Sequence, residues 1–111
     1  MKTFTDDEMN QLMITARPYS LVILKPGPNS FDNTAPSLIW EHARRNLGLR
    51  DAGVLAATLV VLDDSELWGI RVLTGTVDDT VALLNDDPAV AAGVLTFEVH
   101  PCRGLGGHLL P

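Results

Sequence analysis

The sequence predicts a single α+β domain built around a four-stranded antiparallel sheet. Four short apolar segments of strand length are bounded by glycine, proline or acidic turn residues, and helical segments separate them in the order β-α-β-β-α-β. The chain has 111 residues, 46% of them hydrophobic, which is enough to bury one core without disulfide bonds or a metal. It contains no internal repeat, so we expect one domain over residues 1–111.

The chain begins with a predicted helix over residues 5–16, with acidic residues in its first turn and apolar residues at helical spacing. Pro18 is expected to end it, so residues 1–18 would form a helical extension in front of the sheet. Residues 20–25 contain the continuous apolar run Leu-Val-Ile-Leu, which indicates a first strand covered on both faces. The Pro- and Gly-rich residues 26–30 are expected to form a loop.

A longer helix is predicted from Pro36 to about Asp51, with Gly53 as its stop. The second strand, residues 54–62, is again apolar on both faces. An acidic turn joins it to the third strand, residues 66–74, and the two are expected to pair as a hairpin.

The next helix is predicted to begin at Thr76, which caps it, with Asp79 at the capping-box position. The Asp87-Pro88 pair then indicates a short helical turn, because Asp is a favoured N-cap and Pro a favoured first residue. The last strand covers residues 94–100 and is expected to close at Pro101.

This order is the ferredoxin-like plan, here with an extra N-terminal helix and a C-terminal tail at residues 103–111. Two helices can cover only one face of such a sheet, whereas the first two strands are apolar on both faces. A second copy of the chain would cover the other face. We therefore expect a homodimer in which two sheets form an α+β barrel.

An excess of acidic residues limits the expected partners. Lys and Arg number 8 against 14 Asp and Glu, giving a net charge of −6. Nucleic acids and anionic membranes both require a basic surface, so neither is expected to bind. No apolar run approaches the roughly 18 residues of a membrane span, and the N-terminal residues lack the apolar centre of a signal peptide. With one cysteine, Cys102, and hence no intrachain disulfide, the chain is expected to be cytoplasmic.

His42 is the most informative side chain of the sequence. On a helical wheel it falls opposite the polar side of its helix, beside Asn46 and between Ile39 and Leu49. A histidine placed there is at least half buried and must satisfy its ring nitrogens. It could do so as a core residue bonded to a backbone carbonyl, or as a catalytic base.

Asp87 also has two interpretations. As an N-cap it would stabilise the short helix by about 1 kcal/mol. As the partner of His42 it would hold one imidazole nitrogen and leave the other free as a general base. The spacing of the two residues in the sequence does not show whether they meet.

Alternation in the last strand separates an apolar face from a polar face that carries Glu98 and His100. In the third strand Trp68, Ile70 and Val72 alternate with Arg71. If the apolar sets pack on the helices, then Arg71, Glu98 and His100 could line an anion-binding pocket between subunits. The alternative is that these three are solvent-facing or ion-paired strand residues.

No cofactor or metal is expected from the sequence. His42, His100 and His108 are too scattered for a metal site, and there is no nucleotide-binding fingerprint. A small-molecule ligand is the partner class that remains besides a second copy of the chain.

Three segments of the chain resemble YCII-related (YciI-like) proteins. Residues 40–45, Trp-Glu-His-Ala-Arg-Arg, and the exit at residues 51–55 are similar to that family's helix, in which a histidine precedes an x-x-G-x-L exit. Residues 86–94 resemble its D-P-…-A-G segment, and residues 99–101 the V-x-P that follows. The similarity covers about residues 20–102. The N-terminal helix, the Pro-Gly-Pro loop and the long tail depart from the family pattern.

The resemblance implies a dimeric α+β barrel with one pocket per subunit, in which a histidine and an aspartate form a suspected acid–base pair. By position these are His42 and Asp87. The best-understood relatives act on small cyclic or aromatic compounds, including dehydrochlorination of a hydroquinone. The chain is therefore expected to be a cofactor-free lyase or isomerase, and the alternatives are a non-catalytic binding domain and a structural dimer module.

Overall fold

A computed structural model describes residues 1–107 and 110–111 and contains the predicted elements in the predicted order. The helices and strands are α1 (Asp6–Met13), β1 (Arg17–Pro26), α2 (Ala35–Asp51), β2 (Leu55–Val60), β3 (Gly69–Leu73), α3 (Val77–Asn85), α4 (Pro88–Ala91) and β4 (Leu95–Gly104).

The four strands form one antiparallel sheet in the order β2-β3-β1-β4. The first strand lies between the third and the fourth, as the ferredoxin-like plan requires. The longest pairing joins β1 to β4, from Arg17 opposite Gly104 to Pro26 opposite Leu95. The predicted fold class is therefore confirmed for the single chain.

Two apolar clusters lie between the helices and one face of the sheet. The first contains Val22, Leu24, Leu55 and Leu73 of the strands together with Leu84 of α3. The second joins the start of α2 to α4 and the start of β4, and consists of Ala35, Ala89, Val94 and Leu95. Phe97 and Val99 pack against the first cluster, so the apolar face of β4 packs towards the helices as predicted.

The other face of the sheet is only partly covered within one chain. In β1, Ser20, Val22 and Leu24 are buried, whereas Leu21 and Ile23 on the opposite face are half-buried. In β2 only Leu55 is fully buried. The first two strands were predicted to be covered on both faces. Within one chain, only their helix-facing side is covered.

Two prolines that were predicted to end an element, Pro18 for the first helix and Pro101 for the last strand, were assigned wrongly. Pro18 lies inside β1, and Pro101 lies inside β4. At Pro18 the strand pairs only with β4, because its pairing with β3 begins at Ser20, and Pro101 belongs to an edge strand. A strand with a neighbour on one side tolerates proline, because the missing N–H can face the unpaired side.

The helix ends follow local signals. Thr76 caps α3 and accepts a hydrogen bond from the N–H of Asp79, as predicted. Thr5 and Glu8 form a reciprocal capping box at the start of α1, which is shorter than predicted. Gly53 and Gly93 adopt φ values of 76° and 74° just after α2 and α4, where the left-handed conformation favours glycine.

The two ends of the chain differ in their packing. Helix α1 has no buried residue. Arg103 and Gly104, expected in the tail, extend β4 and pair with the start of β1. Of the remaining predicted tail, His108 and Leu109 lie outside the described residues. Within the part of the chain that the structure describes, no helix is long and apolar enough to cross a membrane.

Candidate functional site

A cleft of about 540 Å³ opens between α2 and the β2–β3 side of the sheet. Most of its wall is apolar, including Ile39, Leu47 and Trp68, and four polar side chains interrupt it. These are His42, Asn46, Thr58 and Arg71. A mainly apolar cleft with a few converging polar groups is typical of a small-molecule site.

His42 lies at the wall of this cleft and is 5% exposed. Its Nδ1 is 2.6 Å from Oδ2 of Asp87, which precedes α4. The contact forms because α2 and α4 pack against each other, so a residue on the inner face of α2 meets the N-terminus of α4. The structure therefore brings together the two residues that the resemblance paired.

Asp87 is fully buried and has two partners. Its Oδ1 accepts a hydrogen bond from the N–H of Ala89 at 2.9 Å, while its Oδ2 contacts His42. The two interpretations of this residue are thus compatible, because one carboxylate both caps α4 and holds the imidazole. The cap also fixes the direction in which the carboxylate points.

The environment of Asp87 favours its ionised form. Burial raises the pKa of its carboxyl, but the hydrogen bond and charge of His42, the Ala89 N–H and the charge of Arg45 outweigh burial. The pKa of Asp87 therefore lies below its ordinary value. An ionised Asp87 accepts a hydrogen bond from Nδ1–H, so the neutral ring of His42 carries its proton on Nδ1 and its lone pair on Nε2.

Asn46 contacts the second ring nitrogen. Its Nδ2 lies 3.1 Å from Nε2 of His42, one helical turn away on α2. With the proton on Nδ1, the Asn46 amide donates this bond and Nε2 accepts it. Sequence reasoning placed Asn46 beside His42 but assigned it no role. The spacing could have predicted this contact, because side chains four residues apart on a helix are neighbours.

Arg71 does not share a face with Glu98 and His100, contrary to the predicted grouping. It lies opposite Val22 and Thr58, on the helix-facing side of the sheet, and lines the cleft with His42. Trp68 also packs on the helix side, because it precedes β3 and does not follow the alternation of that strand.

Glu98 and His100 lie on the opposite face of the sheet. Their positions oppose Ile23 and Leu21, and both side chains are exposed. Glu98 forms an ion pair with Lys25 at 2.9 Å and lies 3.4 Å from His100. The structure thus does not bring them to the cleft, and their role in binding a substrate stays a prediction.

Among the described residues, no cluster of three or more histidine, cysteine or acidic residues is arranged to hold a metal ion. His108, one of the three histidines considered in the sequence, lies outside the described residues.

No protein-family model matches this sequence, and no curated protein sequence matches it at a significant level. One similar solved structure comes from Chloroflexus aurantiacus, and its name assigns it provisionally to the antibiotic biosynthesis monooxygenases. The similarity has a TM-score of 0.45 and 20% sequence identity, and covers 82% of this chain and 96% of the other. A similarity this low says nothing about the activity of the present chain. The resemblance to YCII-related proteins therefore stays a prediction.

Proposed function

We propose that this protein is a small acid–base enzyme of the lyase or isomerase type, acting on a small cyclic or aromatic molecule. The observation that carries the proposal is the buried contact of 2.6 Å between His42 and Asp87 at the wall of a mainly apolar cleft. Such a contact gives the imidazole one fixed orientation and one fixed tautomer.

In this proposal Nε2 of His42 is the general base. Removal of a substrate proton by Nε2 creates an imidazolium, and the ionised carboxylate of Asp87 stabilises that charge. The bond from Asn46 to Nε2 must then break or reverse, which a turn of the Asn46 amide would allow. Return of the proton to a neighbouring atom is an isomerisation, and departure of a leaving group is an elimination.

The tautomer of His42 tests this arrangement without any ligand. In the neutral wild-type ring, ¹⁵N shifts are expected to show a proton on Nδ1 and a bare Nε2. In Asp87→Asn the proton is expected to move to Nε2, because an amide can donate to Nδ1 where a carboxylate cannot. The measurement is a long-range ¹H–¹⁵N correlation spectrum of the imidazole.

Asp86→Asn is the matched control, since Asp86 is the exposed neighbour of Asp87 and makes the same change of charge. The control is expected to keep the wild-type tautomer. A proton on Nε2 in the wild type would contradict the proposal, because the supposed base would already carry its proton.

The family resemblance supports this proposal, since it paired the same two residues. We also propose a cytoplasmic location, because the sequence has a single cysteine and therefore no intrachain disulfide, which is typical of proteins in a reducing compartment.

We further propose that the half-covered face of the sheet binds a second copy of the chain. Its centre is apolar and includes Leu21, Ile23 and Ile70, whereas Glu98 and His100 lie along the β4 edge. An apolar centre with a polar rim is the usual composition of a stable interface. Covering this face would complete the burial that the apolar strands predict and would give Glu98 and His100 a place near the partner.

Sedimentation is expected to give a mass of twice 12.0 kDa for the wild type at micromolar concentration. Ile23→Lys should reduce it to the mass of one chain, because a lysine at the centre of the interface would be buried without a partner. Leu62→Lys is the control, since Leu62 is 91% exposed in the β2–β3 connection. A wild type that sediments as a single chain would rule out the dimer.

A further inference from the structure

We infer that the ligand of the cleft carries a carboxylate group, and that the Nε–Nη2 edge of Arg71 binds it. This inference rests on the proposed function, because the same cleft holds His42. It narrows the substrate class from small cyclic or aromatic molecules to their carboxylic acids.

Two backbone carbonyls hold the guanidinium of Arg71 in place. Its Nη1 donates to the carbonyl of Leu59 at 2.8 Å and to that of Ile70 at 3.0 Å. Arg71 is only 7% exposed, and its Nε is buried without a hydrogen-bond partner among the described residues. A buried donor without an acceptor is unfavourable, so a ligand oxygen that reaches Nε through a small shift of the side chains covering it recovers that loss.

Gly69 provides the space for this arrangement. A Cβ at position 69 would lie 2.7 Å from Nη1 and 3.1 Å from the carbonyl oxygen of Leu59. The absence of a side chain therefore lets the guanidinium lie back against β2 and β3. With Nη1 held there, Nε and Nη2 form no hydrogen bond with the described residues.

No protein carboxylate takes that place in the part of the chain that the structure describes. The ion pairs found there involve other residues, although acidic side chains outnumber basic ones by 14 to 8. Asp87 attracts Arg71 only through its charge, because its oxygens contact His42 and Ala89. A buried arginine with no carboxylate in hydrogen-bond contact among the described residues is the feature that points to an anionic ligand.

The geometry of the edge favours a carboxylate. Nε–H and one Nη2–H are parallel donors that match the two oxygens of a planar carboxylate. Among the described residues that line the cleft, Arg71 is the one arginine and there is no lysine, and the negative charge of Asp87 acts on Arg71. A monoanion therefore suits the site better than a phosphate dianion. The apolar wall, including Trp68 and Leu47, would contact the ring of the ligand.

Benzoate, benzamide and phenyl phosphate are the probes that test this inference on the full chain. Benzoate is expected to shift the Nε–H signal of Arg71 and the ring signals of His42 in ¹H–¹⁵N spectra. Benzamide has the same shape without the charge and is expected to bind at least about tenfold more weakly. Phenyl phosphate, with a larger charge, is expected to bind more weakly than benzoate.

Variants of Arg71 distinguish the contribution of its two parallel donors from that of its positive charge. Arg71→Gln is expected to weaken benzoate binding by at least about tenfold, and Arg71→Lys by several-fold, because an ammonium keeps the charge but not the parallel donors. Arg44→Gln is the control, since Arg44 is exposed on α2 and pairs with Glu41 outside the cleft. The control is expected to bind benzoate like the wild type.

Equal binding of benzoate and benzamide, or a wild-type Nε–H signal that benzoate leaves unchanged, would overturn the inference. Tighter binding of phenyl phosphate would replace the carboxylate by a phosphate. The wild-type spectra decide these points even if an Arg71 variant does not fold. None of these outcomes affects the tautomer of His42, so a failure here is distinct from a failure of the proposed acid–base function.

Discussion

Asp87→Asn and His42→Gln are each expected to slow proton transfer in the cleft by about 10²- to 10⁴-fold. His42→Gln removes the base. Asp87→Asn keeps the shape of the side chain but moves the proton to Nε2, so the ring faces the substrate with a donor instead of a lone pair. Because His42 and Asp87 act together as one base, the double variant should be about as slow as either single variant.

Deuterium incorporation measures this proton transfer without knowledge of the complete reaction. Small cyclic ketones and hydroxylated aromatic carboxylates in D₂O lose the ¹H signal of any position from which the enzyme removes a proton. The wild type and Asp86→Asn are expected to exchange such a position at the same rate, since Asp86 is exposed. The two site variants are expected to lose nearly all of that exchange.

Exchange that persists in His42→Gln would contradict the acid–base proposal. A ligand that raises the melting temperature of the wild type, with no chemical change in the ligand, would then favour a binding domain. If no ligand stabilises the protein and His42 variants lose only stability, the site is structural.

The elements were predictable because their signals are local. Thr76 and the Asp87-Pro88 pair mark helix starts by hydrogen bonds that close within a few residues, and Gly53 and Gly93 end helices through their own φ values. The two errors at proline have a common cause. Whether a strand tolerates proline depends on how many neighbours it has at that residue, and pairing is not local.

The site was only partly predictable for a related reason. The wheel position of His42 indicates burial, but its partner is 45 residues away and meets it only through the packing of α2 on α4. Arg71 shows the limit more clearly. Alternation separates it from Ile70 and Val72, yet it does not say which set faces the helices. The face on which Arg71 lies is set by its pairing with Val22 of β1, and this pairing cannot be read from the sequence of β3 alone.

Removal of the Asp87 carboxylate is expected to have the largest effect on folding. Asp87→Ala should lower the free energy of unfolding by about 2–4 kcal/mol, because it leaves Nδ1 of the buried His42 without its partner and removes the cap of α4. Asp87→Ser should cost about 1 kcal/mol less, since serine still caps α4. Denaturant unfolding at neutral pH measures both, and equal losses in the two variants would show that the cap contributes nothing.

Below pH 3.8, the ordinary pKa of an aspartate, the stability difference between the wild type and Asp87→Ser is expected to shrink as the pH falls. Because the folded pKa of Asp87 lies below its ordinary value of 3.8, its ionised form stabilises the folded state above that value. The contribution is lost as the pH falls through the lower, folded pKa. Exposed carboxylates are common to both proteins, so they cancel in the difference. A stability difference that grows as the pH falls below 3.8 would contradict this sign.

The double variant His42→Leu with Asp87→Ser tests whether folding requires the contact between these two side chains. Replacing both members of a buried polar pair removes the unpaired group that makes the single variants unstable, so the double variant should regain about 1–3 kcal/mol over Asp87→Ser. Asp86→Asn, measured alongside, should be near the wild type. If the regain is found, the two side chains interact in solution but are not needed for folding, as expected for a pair that serves the chemistry of Nε2 at the wall of the cleft. If the double variant is as unstable as the sum of the single changes, the two side chains are energetically independent, and the case for an enzyme loses its main support.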